Sequence, residues 1–124
     1  MREILFRAKS VWDGEWLYGD YSHSTYDNVK IRTHGRDIDG LFLVDPETVG
    51  QYTGMTDGND EKIFEGDIVM GVDSLVPELK VFGYIGFENG SFVIIGDLMT
   101  HYRWLDYDVK VIGNIHDNPE LLEE

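Results

Sequence analysis

The sequence predicts an all-β protein with a small N-terminal β subdomain, an SH3-like β-barrel in the second half and a short helical turn at the C-terminus. Three observations carry the all-β class. Apolar runs last only about four to seven residues, the length of strands rather than helices. Between them, 14 glycines and frequent Asn and Asp supply turn chemistry. Near the end, Asn89-Gly90 separates two β-prone runs, and that dipeptide provides the positive φ angles a type I′ hairpin turn needs.

The elements follow in order. "ILFRAK" and "EWLYGDY" form a strand pair turning at Asp13-Gly14. "NVKIRT" alternates, with Val29 and Ile31 on one face and Lys30 and Arg32 on the other. "GLFLVD" reads as a short buried strand ending at Pro46. "TVGQYT" and "KIF" are strands, and "IVMGV" is another. "KVFGYIGFENGSFVII" is the hairpin around Asn89-Gly90, its second strand buried on both faces, with Phe92 and Ile94 on one side and Val93 and Ile95 on the other. "YDVKVIGNI" is the last strand. In "DNPELLEE", Asn118 is a candidate N-cap, Pro119 takes the first helical position, and acids occupy the first turn. One domain of 1–124 is expected, with an N-terminal β part over 1–55 and the barrel part over 56–124.

The acidic stretch "TDGNDEKIFEGDIV" poses a choice between a cation site and a turn. An EF-hand loop counted from Asp57 is satisfied at Asn59 and Glu61. It then fails at the sixth position, where Lys62 replaces glycine, and at the twelfth, where Ile68 offers no oxygen. Asp57, Gly58, Asn59 and Asp60 are instead residues that tolerate left-handed backbone or bond to their own chain. Gly66 and Asp67 form a second such device, and "GDIV" entering a strand is a common opening of small SH3-like barrels.

Composition narrows the function. The absence of cysteine excludes disulfides, thiolate metal sites and a cysteine nucleophile. The start "MREILFRAK" lacks a signal-peptide core, and the apolar stretches "LFLV" and "FVII" are too short to span a bilayer, so a soluble, intracellular protein is expected. Net charge is −14, unevenly spread. Residues 1–36 hold six bases and five acids, a net of +1, and the remainder holds 4 bases and 19 acids, a net of −15. Binding to nucleic acid draws on clustered Lys and Arg, so direct nucleic-acid binding is disfavoured.

No "GxSxG", Walker or dinucleotide-binding glycine pattern occurs. The histidines at 23, 34, 101 and 116 have no metal-ligand spacing. Asp37-x-Asp39 and Asp106-x-Asp108 could each share a proton or a cation on a strand face, but among 24 acids such pairs arise by chance. The expectation is no catalytic residue, no metal and no cofactor. The richest cluster is "THYRWLDYD". Strand alternation would put Tyr102, Trp104 and Asp106 on one face and His101, Arg103, Leu105 and Tyr107 on the other. Tyr102, Arg103, Trp104 and Tyr107 are therefore the candidate binding surface, able to stack on a base, a sugar or a proline. The competing reading is that one face is core and the other wet. Trp12 and Trp16, four apart around a turn, could form a similar platform, but a staple of the first hairpin is the better reading.

The segments "FRAKSVWDGEWLYGD", "TVGQYTGMTDGNDEKIFEGDIV" and "VIGNIHDNPELL" resemble the YopX-type protein family of temperate phages and prophages of Gram-positive bacteria. The resemblance covers both ends and the middle, departs at Asn59-Asp60 where the family turn is usually Asn-Gly, and does not extend over 20–45 and 73–80. It implies an all-β fold with an SH3-like second half and brings no catalytic residues. Together these readings give a non-enzymatic phage accessory protein that binds a protein partner or itself. Two alternatives are an acidic DNA mimic that occupies the basic groove of a host protein, and a small metal-dependent hydrolase using the Asp pairs.

Overall fold

Short alternating runs broken by Gly, Asn and Asp can bury one side of a strand but not a helix, and the computed structural model is built accordingly. It describes residues 3–23, 29–34, 39–97, 99–104 and 107–123. Among these, eleven strands appear: β1 (Phe6–Lys9), β2 (Trp16–His23), β3 (Val29–His34), β4 (Asp39–Leu43), β5 (Gly50–Thr56), β6 (Lys62–Phe64), β7 (Asp67–Asp73), β8 (Lys80–Glu88), β9 (Ser91–Ile95), β10 (Thr100–His101) and β11 (Tyr107–Asn114). Two 3-10 turns, Pro46–Thr48 and Pro119–Leu122, accompany the strands. The all-β class holds. The chain divides into units Met1–Tyr52 and Thr53–Glu124, the division falling within β5.

In the first unit, β1 and β2 form the expected hairpin, from Phe6↔Gly19 to Lys9↔Trp16, with Gly14 at φ 72° in its turn. β3 pairs with β2 and β4 with β3, all antiparallel, while the start of β5 lies on the other side of β1. An antiparallel bridge Ser10↔Val44, flanked by Asp45 N donating to Lys9 O (2.9 Å) and Val11 N to Leu43 O (3.2 Å), returns the end of β4 to the end of β1. The curled strands enclose Ala8, Val29, Ile31 and Val44, with Phe6, Leu17 and Val49 against them. Val29 and Ile31 share the inner face, as their alternation requires. "GLFLVD" departs from expectation. β4 ends the strand order, so its outward Leu41 and Leu43 stay exposed, and burial begins at Val44.

In the second unit, the end of β5 neighbours β6, where the Thr53 hydroxyl donates to Ile63 O (2.8 Å). β7, β8, β9 and β10 form an antiparallel meander, and β11 pairs with the other side of β7, giving the order β10-β9-β8-β7-β11. Ile63, Val69, Val81, Ile85, Ile94, Trp104 and Val109 make the core. The β8–β9 turn is the predicted one, Asn89 at φ 52° and Gly90 at φ 82°. On β9, Val93 and Ile94 are both buried, so its centre is covered on both faces. These ladders describe an open antiparallel sheet, and among the described residues none closes it into an SH3-like barrel.

The C-terminal turn forms where predicted, but its cap differs. Asn118 holds the N-cap position and its side chain makes no capping bond. Its Oδ1 accepts instead from Asn114 N (3.2 Å), fastening the turn to the end of β11. Leu122 lies beside Phe82, Tyr84 and Ile95 at a crevice of about 90 Å³.

Candidate functional site

The acidic stretch resolves as architecture. Asp57 is buried, and its carboxylate accepts from three backbone N–H groups: Oδ1 from Asn59 (2.8 Å) and Glu61 (3.0 Å), and Oδ2 from Val111 (3.0 Å). Asp60 takes φ 66°, the left-handed backbone its residue type tolerates. Burial alone would push the Asp57 carboxyl up. The N–H groups of Val111, Glu61 and Asn59 and the Lys110 charge outweigh it and hold the pKa below the ordinary carboxylate value. With its oxygens committed, Asp57 is a fastening group. The second device works alike. Asp67 Oδ2 accepts from Phe64 N (2.8 Å), while Gly66, at φ 89°, donates to Ile85 O and accepts from Ile115 N.

The aromatic cluster divides. Residues 102–104 leave the strand conformation, so the expected alternation lapses there. Trp104 turns inward, 5% exposed, and its Nε1–H donates to Phe92 O (2.9 Å). It packs in the core of the second unit, as the core reading has it. Tyr102 is 49% exposed, and its hydroxyl accepts from the Asn89 amide (3.3 Å) at the hairpin turn. Tyr107 is half-buried with His101 edge-on to its ring, centroids 5.9 Å apart. Tyr102, Arg103 and Tyr107 line an open cleft of about 310 Å³ with Asp73, Met99, Thr100 and His101. Three of the four predicted residues thus share one concavity. Asp73 and Met99 were not foreseen. The end of β7 reaches the cleft only through strand pairing, of which the local sequence carries no sign.

Such a cleft offers aromatic faces, a guanidinium, a carboxylate and a thioether on a sheet edge. This is the equipment of a binding surface. Of the carboxylate pairs, Asp37 and Asp106 lie outside the described residues. Among the described residues, no group of three His, Asp or Glu could hold a metal ion. Acids of the second unit fall mostly in turns and at strand ends, as Asp60, Glu61, Glu78, Asp97 and Asp117 do, rather than in a row along one strand face. Trp12 is strongly exposed on the first turn, whereas Trp16 is half-buried with the Arg7 guanidinium 4.6 Å and the Lys9 ammonium 5.5 Å from its ring centroid. The two do not form one platform.

The architecture can now be set beside known proteins. The YopX protein family model matches residues 5–123, nearly the whole chain. The chain belongs to the YopX family. The crystal structure of protein EF1440 from Enterococcus faecalis is similar to it, with a TM-score of 0.59 and 23% identity over 99% of this chain and 100% of that one. At that identity the likeness speaks for the fold alone. No curated protein matches the sequence. No helix among the described residues is long and apolar enough to cross a membrane.

Proposed function

We propose that this YopX protein is a phage- or prophage-encoded accessory protein of the bacterial cytoplasm that acts by binding other proteins, itself included, and not by catalysis. The observation that carries the reading is the cleft where Tyr102, Arg103 and Tyr107 come together beside the short edge strand β10. Aromatic and Arg side chains supply most of the free energy at protein interfaces. An edge strand adds unpaired backbone donors and acceptors that a partner can meet. Asp57 and Trp104, which could be taken for site residues, are both committed to the architecture.

The test is affinity capture from host lysate at low and high salt, with Tyr102→Ala and Arg103→Ala beside the unaltered protein. A partner held at both salts by the unaltered protein and released by either variant supports the reading. A basic nucleic-acid-binding protein held only at low salt, equally by all three, overturns it in favour of electrostatic mimicry. Self-association is read separately, as a concentration-dependent mass in light scattering.

A further inference from the structure

The outer face of the N-terminal sheet contrasts with the rest of this acidic chain. Strand register places Arg32 between Asp20 on β2 and Leu41 on β4, and Lys30 between Ser22 and Leu43. Tyr18 completes the face, and Tyr18, Arg32, Leu41 and Leu43 are exposed. Each leucine is therefore flanked by a cation. Lys30 and Arg32, two residues apart on one strand, stand about 6.8 Å from each other along it.

The C-terminal 3-10 turn presents the complementary pattern. Glu120 and Glu123 are exposed, and Glu123 N donates to Glu120 O (3.2 Å), which places the two acids one turn apart. Residues three apart eclipse in a 3-10 turn with a rise of about 6 Å. Glu123 is the extended C-cap residue of the turn, so the two acids stand at its start and its end, at nearly the spacing of the two cations. Leu121 is exposed beside them, and the turn contains no base.

We propose that the Lys30–Arg32–Leu41–Leu43 face docks the acidic C-terminal turn of a second copy of the chain. The contact is head-to-tail: each copy offers its face to one neighbour and its turn to another. The inference rests on the self-association reading above and names its surface. A single-stranded polyanion fits this face less well. Its best stacking residue, Trp16, is already occupied by Arg7 and Lys9, and a chain of net charge −14 repels a long polyanion.

A charge-swap experiment tests this by light scattering, with thermal melts to confirm that the variants fold. The unaltered protein should show a mass that rises with concentration. Arg32→Glu and Glu120→Lys should each raise the dissociation constant by about tenfold or more. An equimolar mixture of the two should regain association, because the unaltered turn of one meets the unaltered face of the other and the two reversed charges also meet. The double variant R32E/E120K should regain self-association. If the unaltered protein stays monomeric, both this proposal and the self-association reading fall. If it associates while the single variants associate equally well, or their mixture stays monomeric, the surface assignment alone is overturned.

Discussion

Asp57 Oδ2 accepts a hydrogen bond from the backbone N–H of Val111, 3.0 Å away in space and 54 residues away in sequence. Two bonds from this turn to β11, that one and Gly58 N donating to Val109 O (3.2 Å), satisfy outward-facing groups on the free side of the strand. An edge strand needs such cover against unwanted pairing. The acidic loop that invites a metal-site reading is an edge cap.

Replacing Asp57 should therefore be costly. Asp57→Ala leaves three N–H groups without their acceptor, two of them within the turn and one on β11, and should destabilise the protein by about 2–4 kcal/mol. Asp57→Asn should cost less, since one side-chain oxygen remains to accept. Urea denaturation of both variants measures this, and a neutral Asp57→Ala would show that the cap carries no weight.

Acid sensitivity follows from the same residue. The folded pKa of Asp57 is depressed, so its stabilisation is fully present above the unfolded carboxylate value of about 3.9 and fades as pH falls through the lower folded value. A plot of stability against pH below about pH 4 should be shallower for Asp57→Asn than for the unaltered protein. Equal slopes would assign the acid limb to other carboxylates.

Trp104 should behave as a core residue. Trp104→Phe keeps most of the packing but strands the Phe92 carbonyl, at about 1–2 kcal/mol, and Trp104→Ala should lose about 3–5 kcal/mol. Thermal or chemical melts report both. Tyr102→Ala, in contrast, should stay within about 0.5 kcal/mol of the unaltered protein, because its ring is half-exposed.

At the β8–β9 turn, Gly90 has open space around it but a φ of 82°. Gly90→Ala should cost about 1–2 kcal/mol from backbone strain alone. Its crystal structure should show no displaced neighbour. A neutral outcome would mean that the hairpin relaxes into another turn type.

What the sequence disclosed was mostly local. Asn89-Gly90 and Asp13-Gly14 specify their turns through the φ angles those residues accept, and Val29 and Ile31 declare their shared face by alternation. The turn at Asp57–Asp60 was legible for the same reason. Its second partner, Val111, was not, because nothing in a neighbouring residue reports a bond formed 54 positions later. "GLFLV" looked buried since composition cannot tell an edge strand from a central one, and β4 is an edge. The alternation drawn through Tyr102 and Trp104 failed where the backbone left strand geometry to point an indole inward. The cleft was half visible: Tyr102, Arg103 and Tyr107 are near in sequence, while Asp73 arrives by pairing with Tyr107.

The placement of β11 has a consequence for the chain as it is made. β7 borders the meander on one side only until β11 arrives on the other, and β11 leaves the ribosome after every strand of the meander. At about 5–20 residues per second, the carboxylate of Asp57 waits roughly 3–11 s for the amide of Val111. A nascent chain halted before Tyr107 exposes the long flank of β7 together with an acidic turn that has nothing to clasp, so the second unit is sealed only once β11 has been made.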